Sequence, residues 1–356
     1  MYSISKILNV RLYSTNLPVR NILAPLNNRS LLRVSGSEVK DFLQGLITND
    51  MYHLGKTSGG SIYAMFLNAK GRVMYDTIIY KPGEKNTYFV ECDNDVIKSL
   101  EKHLKMFRVR KKIDISSLQD EYMIHTVYNT KNIKTQVNTR ASNGELEGIV
   151  VPCDQLRNTQ PETSTSTTIY NKLLIFRDPR VMELGSRIIS KVGTDVKQEL
   201  SGFLEVTDCP EPHDSYKALR YSLGVGEGPY DLPPDNCFPL ECNCDYLHGV
   251  SFHKGCYIGQ ELTARTHHTG IIRKRLMPLF FSKIPSILPK DNNILQESTK
   301  LGKLRGTEDD LGLALLRISS ALEIGEFSVG DGVAKVYKPH WWPLEAPKEK
   351  LNVQKS

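Results

Sequence analysis

Phe252-His253-Lys254-Gly255-Cys256-Tyr257-Ile258-Gly259-Gln260-Glu261-Leu262-Thr263-Ala264-Arg265 is the densest run of chemical information in the chain. Gly255 and Gly259 bracket a cysteine and permit a sharp turn. Gln260, Glu261, Leu262 and Ala264 are good helix formers, so a helix is predicted to begin near Gly259. Cys256 then lies just before a helix N-terminus, next to Lys254 in sequence. Positive charge and aligned amide dipoles both favour the thiolate, the form that binds metal or acts as a nucleophile. The competing reading is a buried free thiol, which is the common state of an unpaired cysteine.

Outward from this run, the chain has 356 residues, enough for two or three domains with a sizeable core. The longest apolar candidate, Leu311 to Leu316, is far short of the ~18 residues a membrane span needs. The formal net charge is +6 and unevenly placed. Residues 1–37 hold Lys6, Arg11, Arg20, Arg29 and Arg33, and the first acidic residue is Glu38. The opening mixes basic, hydroxyl and apolar residues at amphipathic-helix spacing, the composition of a mitochondrial transit peptide. Arg11-Leu12-Tyr13-Ser14 places a matrix-protease cut after Tyr13, so residues 1–13 are expected to be removed; a disordered basic tail is the alternative. No basic stripe with interleaved aromatics points to nucleic acid. Seven scattered cysteines do not form a disulfide framework and fit a reducing compartment.

Strands are predicted at Leu31–Val34, Ile62–Leu67, Val73–Tyr80 and Tyr88–Glu91, and helices from an N-cap at Ser37 and over Asp95–Phe107. Asn68-Ala69-Lys70-Gly71 reads as a turn with glycine at positive φ. Residues 129–168 are polar and read as long loops around the short Ile149-Val150-Val151 run. A strand follows at Leu173–Phe176 and a helix over Ser215–Leu223, and residues 224–246 read as an extended, irregular connection. Strands at Leu276–Phe281, Leu311–Ile318 and Gly332–Tyr337 suggest a small β domain. Strands and helices mix without regular βα repetition, so the fold class is α+β.

Lys254 to Glu261 resembles the signature of the YgfZ/GcvT-like proteins, folate-binding relatives of the glycine-cleavage aminomethyltransferase and of the CAF-type transferase homologues. Tyr216-Lys217, Arg220-Tyr221, Asp231-Leu232-Pro233-Pro234, Pro239-Leu240-Glu241 and Thr263-Ala264-Arg265-Thr266-His267-His268 look like the mitochondrial branch, whose members assist iron–sulfur cluster assembly. The resemblance is strong at 216–275, clear at 31–80 and weak across 129–170. It implies a GcvT-like fold over 14–272, two intertwined α+β subdomains around a central folate-binding cavity. A C-terminal β-barrel over 273–345 and a charged tail at 346–356 complete the expected plan. It further implies a mitochondrial matrix factor that matures [4Fe–4S] proteins with A-type carriers, with tetrahydrofolate as ligand and a transient bridging iron–sulfur cluster. In that plan Cys256 is the iron ligand, and Lys254, Gly255, Tyr257, Gly259, Gln260, Glu261 and Arg265 form the rest of the motif.

The resemblance also supplies candidate folate contacts. In Gly71-Arg72-Val73-Met74-Tyr75-Asp76, Tyr75 replaces the first of the enzymes' paired aspartates and Asp76 retains the second. Asp76 is the one candidate catalytic group, or else a strand-end carboxylate in solvent. Arg220 matches an arginine near the cavity, and Glu183 loosely matches a pterin-binding glutamate; surface ion pairing is the alternative for Arg220. The missing aspartate favours an assembly factor over the alternative, a folate-dependent one-carbon transferase or demethylase. Cys237, Cys242, Cys244 and Cys256 offer four candidate metal ligands, but their spacing fits no common zinc module.

Overall fold

Alternation along β3 (Ser61–Leu67) sends Tyr63, Met65 and Leu67 into one core and Ile62, Ala64 and Phe66 into another. A strand buried on both faces reads as a continuous apolar run because it divides two cores. The computed structural model describes residues 20–55, 60–129, 168–170, 172–202, 204–209, 215–296 and 299–343. The expected transit peptide at 1–13, most of the 129–168 segment with its Ile149–Val151 run, and the tail at 346–356 lie outside the described residues.

The dividing sheet has the order β3-β4-β5-β2-β6. Its other strands are β2 (Arg29–Ser35), β4 (Val73–Tyr80), β5 (Thr87–Asp93) and β6 (Asp114–Ser117). Helices α1 (Val39–Gln44) and α2 (Asn94–Arg108) contribute Val39, Phe42, Leu43, Ile97, Leu100 and Leu104 to the outer core. Asp93 caps α2 by accepting from the Asp95 amide at 3.0 Å. The predicted N-cap of α1 at Ser37 moves one residue on, to Glu38, whose carbonyl accepts from the Phe42 amide.

A second sheet has the order β11-β1-β7-β10-β9-β8. It is built from β1 (Asn21–Pro25), β7 (Tyr122–Asn129), β8 (Thr168–Tyr170), β9 (Leu173–Arg177), β10 (Ser186–Lys191) and β11 (Thr207–Asp208). Its outer face is covered by α3 (Val196–Leu200), and its inner face shares the central core with the first sheet. Helix α4 (Tyr216–Leu223) starts at the Ser215 cap and ends at Gly224, φ +73°. Trp341 pins it by donating to the Leu223 carbonyl at 2.9 Å.

The segment after α4 is more structured than an extended connection. Gly228–Asp231 forms a one-turn helix, α5, with Pro229 in its first turn, where a fixed φ is favourable. Asp231 closes it by accepting from the Glu227 amide at 2.9 Å. Helix α6 (Gln260–Thr269) follows the motif.

The third sheet has the order β13-β14-β15-β12-β17-β16. Its strands are β12 (Lys274–Lys283), β13 (Asn293–Gln296), β14 (Thr299–Glu308), β15 (Leu311–Arg317), β16 (Glu326–Val329) and β17 (Gly332–Val336). The edge strands β13 and β16 touch, so the sheet nearly closes into a barrel. A short helix, α7 (Ile318–Ile324), links β15 to β16.

Candidate functional site

The signature loop is held by its neighbours rather than by its own length. Lys254 Nζ donates to the carbonyls of Gln44, Ile47 and Asn49 at 2.7, 2.6 and 2.7 Å. An ammonium has three donors, and all three are spent on the last carbonyl of α1, at Gln44, and on Ile47 and Asn49 in the segment that follows it. Burial draws Lys254 down to about 7, against the opposing pull of the Asp50 carboxylate, which favours the charged form. The Lys254 charge therefore serves as a clamp on α1. The Ile258 amide donates to the Gly45 carbonyl at 3.2 Å, a second tie to the same corner.

Gly259 adopts φ +77° immediately before α6, and a Cβ there would stand 2.3 Å from the Asn68 carbonyl oxygen. The turn at Asn68–Gly71, with Gly71 at φ +75°, presses against this point. Gln260 closes the loop, its Oε1 accepting from the Tyr257 amide at 3.1 Å. Phe252 stacks on His267 with centroids 3.5 Å apart, joining the two ends of the motif. Within this frame Tyr257 is buried, and Gly255, Cys256, Glu261 and Arg265 are exposed. Cys256 is a solvent-facing sulfur on a fixed shoulder just ahead of α6.

A second constellation fills the centre between the two large sheets. Asp76 shares its strand face with Ile78 and Tyr80, so alternation aims it at the central core. Its Oδ1 accepts from the Gly228 amide at 3.0 Å, and its Oδ2 lies 3.4 Å from Arg29 Nη1. Arg29 Nε reaches Glu91 at 2.8 Å, and Tyr80 also donates to Glu91. Arg180 and Arg187 each place a nitrogen 2.7 Å from Glu227 Oε2, and both donate to the Tyr216 hydroxyl. Arg180 grips Asp178 through two nitrogens, at 3.0 and 2.7 Å. Arg220 binds Asp231 at 2.7 Å and the Val225 carbonyl at 3.1 Å.

These nine charged residues are all 7 % exposed or less. Four guanidiniums face five carboxylates. Burial raises the Asp76 pKa against the opposing pull of Arg29, the direction that would relieve the excess negative charge. Burial also penalises Glu227, but Arg187, Arg180, Arg29 and Arg220 outweigh it and hold Glu227 well below the usual carboxylate range.

Asp76 and Arg220 thus enter one network, through Gly228 and Asp231 of the same one-turn helix. Glu183 instead meets His340 at 2.6 Å, tying the segment after the barrel to the second sheet's loop. Tyr75 lies on the opposite face of β4 from Asp76, edge-on to Phe66 and His103. Arg29, Glu91, Arg180, Arg187 and Glu227 were not singled out from sequence. The available signal was a charge at a core-facing position of an apolar strand, as with Glu91 in Thr87–Asp93 and Arg187 in Ser186–Lys191.

Among the described residues, no group of three or more His, Cys, Asp or Glu is placed to hold a metal. Cys237, Cys242 and Cys244 are buried while Cys256 is exposed, so the four do not converge. One cleft, of about 400 Å³, is lined by Asn68, Ala69, Lys70, Arg72 and Asp235. Another, of about 300 Å³, lies beside Leu23, His125 and Lys197. Neither borders the central charges.

Comparison with known proteins agrees with this architecture. The family model of the CAF17 C-terminal beta-barrel domain matches residues 273–344. The solved structure of the glycine cleavage system aminomethyltransferase T from Bartonella henselae superposes with a TM-score of 0.63 at 14% identity. That match covers 90% of this chain and 86% of the other, and it shows a shared fold. The mitochondrial iron–sulfur cluster assembly factor IBA57 of Homo sapiens is 34% identical over 337 residues, covering 89% of this chain and 84% of the relative. Its Mus musculus counterpart is 33% identical over 345 residues, covering 90% and 85%. The protein described here is mitochondrial, and it belongs to the IBA57 family of iron–sulfur cluster assembly factors with an aminomethyltransferase fold.

Proposed function

We propose that this protein matures [4Fe–4S] proteins in the mitochondrial matrix, with the Cys256 thiolate supplying one iron ligand to a cluster held jointly with an A-type carrier. The observation that carries this reading is an exposed cysteine on a shoulder fixed by Lys254 and Gly259. Thiolate is a soft donor suited to iron–sulfur clusters. One sulfur cannot hold a cluster, so the remaining ligands come from the partner, and the cluster is cargo in transit. Fixing the loop before the partner arrives lowers the ordering cost of that encounter. We also read residues 14–272 as the body that presents the loop and 273–345 as an appended barrel.

Tetrahydrofolate is the ligand that the fold suggests. The central network has suitable donor types, and Arg29 Nη2 and Tyr63 Oη lack hydrogen-bond partners there. Its charged side chains are buried, and neither of the two clefts described above reaches them, so no step is routed through folate. A one-carbon transferase using Asp76 as acid–base group would also need that carboxylate reachable, whereas it is 4 % exposed. Calorimetry with tetrahydrofolate, with and without Asp76→Asn, tests this second reading directly.

The deciding experiment for the first reading is depletion of the protein in its host cell. Mitochondrial [4Fe–4S] enzymes should lose activity while [2Fe–2S] enzymes keep theirs. Equal loss of both classes, or of neither, would count against the assignment.

A further inference from the structure

Two glycines of the signature loop differ in what the fold asks of them. Gly259 is required by its surroundings, with φ +77° and no room for a Cβ beside the Asn68 oxygen. Gly255 is not. Its φ is not positive, the residue is exposed, and nothing stands within 4 Å of an added Cβ. Alanine would lose less chain entropy on folding at such a position. The side chains around it are turned away: Lys254 Nζ is bonded to main-chain carbonyls and Tyr257 is buried. From Lys254 to Tyr257 the loop therefore presents one outward side chain, that of Cys256.

The Asn68–Gly71 turn adjoins the same shoulder. A Cβ on Gly71 would lie 3.0 Å from the Gly259 carbonyl oxygen and 3.3 Å from the Leu262 Cβ, so this turn and the start of α6 form one surface. Lys70 is exposed on the turn. Arg72 bonds the Asn236 carbonyl at 3.2 Å and lies over the Phe238 ring at 4.5 Å, and both cations line the cleft of about 400 Å³. The acid on the cleft wall, Asp235, accepts from Asn68 Nδ2 at 2.5 Å. On α6 the exposed Glu261 and Arg265 stand one turn apart with opposite charges. Lys70, Arg72 and Arg265 thus outnumber Asp235 and Glu261, and the surface is basic at the edge nearest the turn.

We infer, on the reading of Cys256 as an iron ligand, that this surface is the docking face for the cluster-carrying partner. Gly255 lets the partner's cluster-bearing segment lie against the main chain, and Lys70 meets the charge of the cluster. A metal–thiolate bond is about 2.3 Å long, so a cluster joined to Cys256 brings the segment that holds it within van der Waals reach of the neighbouring residue. A side chain at 255 would stand in that path. A thiolate-held cluster is negatively charged, because sulfides and thiolates outweigh the ferric ions, and a lysine at the rim attracts it before contact.

The test uses the full-length protein and a purified A-type carrier loaded with a [2Fe–2S] cluster, comparing Gly255→Ala, Gly255→Leu and Lys70→Glu with wild type. Binding should weaken with added bulk, by about tenfold or more for Gly255→Leu, the scale of an overpacked contact. In both glycine variants the melting temperature and the rate of Cys256 alkylation by iodoacetamide should stay at wild-type values. Lys70→Glu should slow association by about tenfold at low ionic strength, a difference that added salt removes, and Lys70→Arg should behave as wild type. Undiminished binding by Gly255→Leu, weakening matched by a fall in its melting temperature, or unchanged association by Lys70→Glu would overturn the inference. Cys256→Ser separates the two claims. If it binds the carrier as wild type does while Gly255→Leu does not, the ligand role fails and the docking face stands. If Cys256→Ser loses the complex and Gly255→Leu keeps it, the docking face fails and the ligand role stands.

Discussion

Replacing Lys254 with methionine keeps an unbranched side chain of similar length and removes the ammonium. Three hydrogen bonds of 2.6–2.7 Å to main-chain carbonyls disappear with it. At about 2 kcal/mol for a bond to a charged group, they sum to about 6 kcal/mol. The variant is spared the desolvation of a largely buried ammonium, which returns about half of that. A net loss of about 3 kcal/mol is expected, a fall of about 4 °C in melting temperature for a chain of 356 residues. Thermal denaturation measures the total, and amide exchange at residues 44–49 together with alkylation of Cys256 measures where it falls. Both local readouts should accelerate, because the same clamp orders the corner of α1 and the shoulder bearing the cysteine. Stability within about 0.5 kcal/mol of the parent, the scatter of ordinary surface changes, with unchanged exchange and alkylation would refute the clamp.

Gly259→Ala should cost about 2–4 kcal/mol, since φ is +77° and the new methyl would lie 2.3 Å from the Asn68 oxygen. Gly255→Ala, with nothing within 4 Å of its added carbon, should change stability by less than about 0.5 kcal/mol in the same denaturation assay. Glu227→Gln should cost about 3–5 kcal/mol by removing one of the two carboxylates that Arg180 and Arg187 share, the other being Asp178. Because the folded pKa of Glu227 is depressed, its contribution is complete above the unfolded value near 4.5 and is lost as pH falls below it. Acid titration of stability should therefore be flatter in the variant. Glu183 is pulled down by the His340 hydrogen bond in spite of burial, so Glu183→Gln should remove about 0.5 kcal/mol above pH 4.5 and progressively less below it.

Much of this architecture is written locally. The period-two pattern of Ile62–Leu67 and Val73–Tyr80 and the glycine of the turn between them predict a hairpin, and β3 and β4 pair in that way. The helix after Gly259 follows from residue propensities and begins at Gln260. Strand β14 is harder to see, because a register shift between Leu304 and Gly306 breaks its alternation. The short α5 turn is masked by the Gly and Pro that surround it, and it is stabilised by Asp231, a contact within the folded segment.

The site divides in the same way. An exposed cysteine between two glycines is legible, because turn geometry is local. The destination of the Lys254 ammonium is not, since its acceptors lie more than 200 residues earlier in the chain. The central ion network draws Arg29, Asp76, Glu91, Arg187 and Glu227 from separate elements, and only the three-dimensional meeting of the sheets reveals it.

The most direct test of the proposed role is reconstitution of purified protein with an A-type carrier, iron and sulfide, comparing wild type with Cys256→Ser. The account predicts a mixed complex containing iron and sulfide for the wild type and its loss in the variant, whose fold should be intact because the changed atom is exposed. An identical iron-loaded complex from both proteins would show that this sulfur holds no iron.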